Sequence, residues 1–581
     1  MQLFIVFVIL ALAIAYTFWR VIRTLRGRGD CGCGRGHKCP YKNQHIDHCC
    51  NNCQHCHGTR TSIVLLFLAI ATATQANTNH NVASQLARDI RLLPYTELHH
   101  LVILHNGQII TDAHALPYRN IDPHNQYSAC KMLTSLAVGL AVDDGKLHLD
   151  DRVIDLFPNQ SPLDQWPEIE AMTVRNLLTM TSGKEVATAI RDTSSNWVTA
   201  WLALPQHMPG RHMLYDTMTS FMLSAIVQQV TGRNILDLLN ERILQPMGIT
   251  DMEWEQSPDK INTGGWGLRC STLSMAKIGL LMLQHGQWGG HQLISTQWIE
   301  QMTTDQLTQF GIEATHTDEF HDGYGYQMWL CALPGSYRAQ GNLGQLILVY
   351  PSDQIVIAVN CATPYQGEVL RLAQRYAPQL ASIAGPQPVS LPAFDMNGHE
   401  WNGDSMHIEL PDNNHDIKTL DVVRCNKQLM LTIGYDDGKS EHIPVGYGQW
   451  VYSKLRHTPP YNIGAMNRFS GMFRGFSVAA RYSCHIGDKI EIWLQFVDWG
   501  TGLRLMIDRK IGSVTIIENK SPNRPEVLSI NKSPLDTRAS SKWWIVIFAL
   551  IFVTLITLIA CNKPNQGHGT NENNEGLDNN Y

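Results

Sequence analysis

Ser128-Ala129-Cys130-Lys131-Met132-Leu133-Thr134-Ser135-Leu136-Ala137-Val138-Gly139-Leu140-Ala141-Val142, closed by Asp143-Asp144-Gly145-Lys146, is the stretch that decides the fold. From Met132 to Val142 it is almost wholly apolar, and a helix that is apolar all round is a buried one. Ser128 then stands at the entrance of a core helix, with Lys131 on the same face of the same turn. A serine hydroxyl needs a base within hydrogen-bond reach to act as a nucleophile, and a desolvated lysine can be that base. The positive end of the helix dipole beside Ser128 also favours a developing oxyanion. Four residues alone decide nothing, because Ser128 as a plain helix cap and Lys131 as a solvated charge satisfy the same pattern. The flanks decide.

Three flanking stretches accompany the S-x-x-K: Thr173-Val174-Arg175-Asn176-Leu177-Leu178-Thr179-Met180-Thr181-Ser182-Gly183, Gln245-Pro246-Met247-Gly248-Ile249-Thr250-Asp251-Met252 and Gly267-Leu268-Arg269-Cys270-Ser271-Thr272. Together they resemble the serine β-lactamase and penicillin-binding-protein superfamily, and within it the branch of 6-aminohexanoate-dimer hydrolases and related esterases. The resemblance covers roughly residues 80 to 385. It implies an α/β (α+β) sandwich, an antiparallel sheet flanked by helices, and a serine hydrolase that needs no cofactor for hydrolysis.

The family's second motif falls on Tyr215-Asp216-Thr217, where Tyr215 would shuttle the serine proton to the leaving group. A core-edge tyrosine with a satisfied hydroxyl is the bland alternative. Thr217 stands where the best-known members carry asparagine. The third motif falls on Ala339-Gln340-Gly341, followed by Gly344-Gln345 and the apolar run 346–350. Gly341 would let a substrate backbone approach the strand, Gln340 and Gly341 would line it, and the Asn342 amide would join that of Ser128 in an oxyanion hole. Ala339 replaces the cation that holds the carboxylate in penicillin-recognising members. The resemblance therefore implies an ester or linear amide substrate, with a DD-peptidase or β-lactamase-like enzyme and a catalytically silent receptor as alternatives.

At 581 residues the chain exceeds a single ordinary domain. A net charge of −6 excludes a basic nucleic-acid footprint. Hydropathy marks a transmembrane helix within 1–22, a signal-like or second membrane segment over 61–76 and a transmembrane helix over 543–560, with a cysteine- and histidine-rich loop over 23–60 and a polar tail over 561–581. The resemblance places the hydrolase over 80–385, and strand alternation and prolines place an all-β accessory domain over 386–518 and a tether over 519–542. The basic loop between the first two apolar segments reads as cytoplasmic. The catalytic portion is then expected on the periplasmic or extracellular side of a membrane. Pro386-Gln387-Pro388 reads as a linker, and Asp436-Asp437-Gly438 as a hairpin turn between strands.

The same loop carries Cys31, Cys33, Cys39, Cys49, Cys50, Cys53 and Cys56, interleaved with five histidines. Thiolates and imidazoles at such spacing suit zinc, copper(I) or an iron–sulfur cluster. A polar linker that binds metal adventitiously is the competing reading. Elsewhere His99 and His100 read as surface residues, and Tyr324, Tyr326 and Trp329 as either core packing or the wall of an apolar acyl pocket.

Overall fold

The computed structural model describes residues 81–529 except 161–163, 186, 313–322, 393–396, 461–462, 464–467, 486–488 and 520–525. The chain divides into two units, Met1–Asn79 and His80–Tyr581, and the described residues belong to the second. The expected membrane segments at 3–19, 63–70 and 543–560 and the cysteine loop lie outside the described residues. Among the described residues no helix is long and apolar enough to cross a membrane.

Period-two alternation builds the first sheet. Strands β1 (Glu97–His105) and β2 (Gln108–His114) form one hairpin. Much later in the chain come β6 (Trp329–Leu330), β7 (Tyr337–Gly341), β8 (Gln345–Tyr350) and β9 (Ile355–Ala362), giving the antiparallel order β2-β1-β9-β8-β7-β6. Leu101, Ile103, Leu346, Leu348, Ile355 and Ile357 pack on one face under helices α1 (Val82–Arg91) and α5 (Gln366–Ala381). Val102, Leu104, Ile347, Val349, Val356 and Ala358 face the opposite way into the main helical core. That core contains α2 (Lys131–Asp143), α3 (Thr217–Thr231) and α4 (Thr272–Leu283). Every residue of α2 from Lys131 to Ala141 is buried, as its all-round apolarity requires. The result is an α/β sandwich.

A small sheet lies beside it, in which β5 (Leu268–Cys270) pairs with both β3 (His124–Asn125) and β4 (Glu253–Trp254). Its strands are short, but β3 leads directly into the turn that carries Ser128.

The C-terminal portion is a ten-stranded half-barrel with its own core. Its strands are β10 (Ser405–Glu409), β11 (Ile417–Cys425), β12 (Gln428–Tyr435), β13 (Ser440–Tyr447), β14 (Val451–Leu455), β15 (Phe476–His485), β16 (Lys489–Phe496), β17 (Thr501–Asp508), β18 (Ser513–Glu518) and β19 (Glu526–Ser529). The β12–β13 hairpin turns at Gly438, whose φ is +78°. Residues 526–529, read from sequence as tether, instead extend the sheet by pairing with β18. Val527 and Leu528 supply too short an apolar signal to stand out between prolines.

Two other expectations change. The 386–388 segment is not a loose linker: Gln387 N–H donates to Ile110 O and Thr111 Oγ1 donates to Gln387 O, at 2.6 and 2.8 Å, which ties it to β2. His99 and His100 are not surface residues but 0 % and 2 % exposed. A bulge between Leu98 and His100 breaks the alternation of β1, and both imidazoles pack against Tyr118 and His124.

Candidate active site

Ser128 lies in a tight 3-10 turn, Tyr127–Cys130, that feeds into α2. Tyr127 has φ +47°, a left-handed conformation that is costly for a bulky residue and concentrates at functional turns. Its amide donates to Asn125 Oδ1 at 3.2 Å, and the Ala129 amide donates to Gln126 O at 3.0 Å. The turn is thereby pinned on both sides of the serine.

Lys131 is 2 % exposed, and its Nζ donates to Ser128 Oγ at 3.0 Å and to Gly265 O at 2.8 Å. Sequence reasoning missed this second partner, although the adjacent glycines Gly264-Gly265 just before the Gly267-Leu268-Arg269 stretch were a signal of close backbone approach. A Cβ at Gly265 would lie 2.6 Å from Thr217 O and 3.4 Å from Lys131 Nζ. Only glycine fits.

The Tyr215 ring centroid is 4.9 Å from Lys131 Nζ. Asp216 caps α3 by accepting from the Thr219 amide, which fixes Tyr215 immediately outside the helix. Tyr215 stacks on Trp329 at 5.5 Å between centroids, and Tyr324 packs edge-on against Trp329 at 4.7 Å. Tyr326 stands apart from this wall; it packs on Trp298 and accepts a hydrogen bond from Arg175. Of the three aromatic residues singled out in the sequence, Tyr324 and Trp329 adjoin the site and Tyr326 does not.

On the other side, β7 passes against the nucleophile turn. A Cβ at Gly341 would come within 2.2 Å of Gln126 O and 3.2 Å of the Ala129 amide nitrogen. Asn342 is exposed in the turn between β7 and β8, with its Oδ1 accepting from the Leu343 amide. Gln340 differs from expectation as a substrate-lining side chain. Strand alternation turns it to the face opposite Ala339 and Gly341, where its Oε1 accepts from Arg338 Nε at 2.8 Å. Only its backbone faces the site's edge. Arg338 shares that far face, donating to Leu330 O, so it does not replace the cation missing at Ala339.

Behind the nucleophile turn is a cluster of buried polar groups. His124 Nδ1 hydrogen-bonds Asn125 O, and its Nε2 lies 3.0 Å from His99 Nδ1. His99 in turn faces Glu97, which accepts from Gln495 and Asn519 of the C-terminal portion. Burial pushes His99 and His124 below the ordinary histidine range, and His100 down to about 3. Among the described residues no group of three or more histidine, cysteine, aspartate or glutamate side chains could hold a metal ion. Cys31, Cys33, Cys39, Cys49, Cys50, Cys53 and Cys56 lie outside them.

Residues 100–381 match the family model described as Beta-lactamase. This portion of the chain belongs to the serine β-lactamase and penicillin-binding-protein-like superfamily. Its relatives in this superfamily include hydrolases of different kinds. Lovastatin esterase of Penicillium rubens is 28% identical over 157 residues, 22% of this chain and 38% of that protein. The 6-aminohexanoate-dimer hydrolase of Paenarthrobacter ureafaciens is 20% identical over 282 residues, 45% of this chain and 71% of the relative. The match spans well under two thirds of lovastatin esterase. Among solved structures, a penicillin-binding-protein homologue from Caulobacter crescentus aligns with a TM-score of 0.40 at 14% identity, covering 51% of this chain and 98% of that one.

Proposed function

We propose that the chain is a serine hydrolase that cleaves an ester or linear amide through an acyl-enzyme on Ser128. The observation that carries this reading is the buried Lys131 Nζ, 3.0 Å from Ser128 Oγ and held there by Gly265 O. In the acylation step Ser128 Oγ bonds to the substrate carbonyl carbon as its proton passes to Lys131, acting as base. Tyr215, beside Lys131, relays that proton to the leaving group as the carbon–leaving-group bond breaks. Water then attacks the acyl-enzyme by the reverse route, releasing the acid and restoring the serine. The amides of Ser128 and Asn342 receive the oxyanion, with Gly341 providing the close approach.

Ala339 supports an ester or linear amide over a β-lactam, since no lysine or histidine stands at that position to meet a carboxylate. The serine–lysine hydrogen bond in this geometry argues against a silent receptor. Labelling with a fluorophosphonate and a fluorescent penicillin side by side tests the reading. Rapid fluorophosphonate labelling and slow, substoichiometric penicillin labelling are expected; fast stoichiometric penicillin acylation would favour the peptidase or lactamase alternative instead.

On sequence grounds we further propose that the hydrolase is tethered to a membrane on its periplasmic or extracellular side, and that the 31–57 loop binds zinc, copper or an iron–sulfur cluster. Protease accessibility in sealed vesicles tests the first. Metal titration of a peptide covering residues 29–58, against a scrambled control, tests the second.

A further inference from the structure

We propose that one turn of the C-terminal sheet, Val497-Asp498-Trp499-Gly500, positions the nucleophile, Asp498 acting through Arg269 and Gly500 acting through His124. The inference rests on the reading of Ser128 as nucleophile and adds a positioning role for a part of the molecule remote from the chemistry.

The residues before Ser128 run along β5, with further contacts from His99 to His124 and from Asn360 Nδ2 to Gln126 Oε1. His124 pairs with Cys270, Asn125 pairs with Arg269, and the Gln126 amide donates to Leu268 O at 2.9 Å. Whatever fixes β5 therefore helps to fix the approach to the serine. The central residue of β5, Arg269, is fully buried. It donates to Asp498 Oδ2 at 3.0 Å and to Gly475 O at 2.9 Å, both from the C-terminal sheet, and to Glu253 of β4. Asp498 is itself fully buried and accepts two bonds from the Ser477 amide, at 3.0 and 2.9 Å. Phe476 and Trp499 flank the guanidinium, 5.5 and 5.8 Å from its carbon.

Two residues further on, the same turn touches the other strand. A Cβ at Gly500 would fall 2.4 Å from His124 Nε2 and 2.5 Å from its Cε1, and Gly500 has φ +71°. The turn thus seats against β3 by contact and against β5 by charge, on both strands that deliver Ser128.

Adhesion between the two portions does not require these ions. Tyr118 already packs with Ala479 and Val497 in an apolar contact. Burying an arginine between carboxylates incurs a large desolvation cost, which apolar side chains of similar size would avoid. What the ions add is direction: each hydrogen bond fixes the place of β5 against the sheet. A displacement of about 1 Å at a reacting group can lower a rate by about 10²-fold.

The test uses the full-length chain carrying Asp498→Asn or, separately, Gly500→Ala, which removes no charged group. Endpoint labelling with a fluorophosphonate counts competent serines, and ester turnover is then expressed per labelled site. The expected result is a per-site kcat lower by about 10- to 100-fold in both variants, with KM changed less than about threefold. A merely structural role predicts the opposite pattern, fewer labelled sites each turning over at the wild-type rate, and that result overturns the proposal. Loss of all labelling in Asp498→Asn with an unchanged per-site rate in Gly500→Ala overturns it too. Failure of the wild-type chain to label at Ser128 removes the hydrolase reading itself, and is told apart because it needs no variant.

Discussion

In the proposed reaction Lys131 carries the heaviest chemical demand. If it accepts the Ser128 proton, Lys131→Ala should lower acylation by about 10² to 10⁴, the usual contribution of a positioned base. Pre-steady-state acylation kinetics with an activated ester check this, and a change below about threefold would move the base elsewhere. The juxtaposition of Ser128, Lys131 and Tyr215 was legible from sequence because i, i+3 spacing and a motif with fixed neighbours both survive in one dimension. The Gly265 carbonyl was not, since a backbone acceptor 134 residues from its donor leaves only a glycine pair as its trace. His99 and His100 were misread for a related reason. Two adjacent histidines in a strand imply one inward and one outward side chain, but β1 is a central strand whose residues 98–104 are all buried, because both faces of its sheet are covered.

At the scale of the element, α2 shows what close packing demands of a single position. Gly139 lies mid-helix, and a Cβ there would come 2.3 Å from the Trp298 ring, whose Nε1 donates to Ser135 O at 3.0 Å. Gly139→Ala should therefore destabilise the chain by about 1–3 kcal/mol despite alanine's better helix propensity. Denaturant unfolding checks the sign; stabilisation would show that Trp298 moves aside freely. The helix itself was readable as buried from its composition. Its contact with Trp298 was not, because ring placement depends on a helix that starts more than 150 residues later. The short strands β3 and β5 escaped for the same cause: at two and three residues they carry no period to detect.

For the molecule as a whole, stability should respond to acid. His100 is buried with a pKa of about 3 against 6.5 for an exposed histidine, so between those values the unfolded chain binds more protons than the folded one. Its contribution to stability is therefore complete above pH 6.5 and declines as pH falls towards 3. From pH 7.5 to 5.0 the loss amounts to about 2 kcal/mol. His100→Gln keeps a donor for Arg119 O, the partner of His100 Nε2, and should reduce that acid sensitivity by about this amount. Urea midpoints of both proteins at the two pH values measure it, and equal pH dependence would contradict the burial argument. The two layers of this architecture were legible as a helix-rich stretch followed by short strands. The junction was not, because it is made of single residues such as Arg269 and Asp498, which lie 229 positions apart.

The central claim is that Ser128 forms the acyl-enzyme. Turnover of a short-chain p-nitrophenyl ester by the wild-type chain and by Ser128→Ala, with mass spectrometry of the acid-quenched protein, tests it most directly. The account predicts hydrolysis by the wild type, an acyl adduct on the peptide containing Ser128, and loss of both in the variant. Full activity in Ser128→Ala, or an adduct on any other residue, would contradict it.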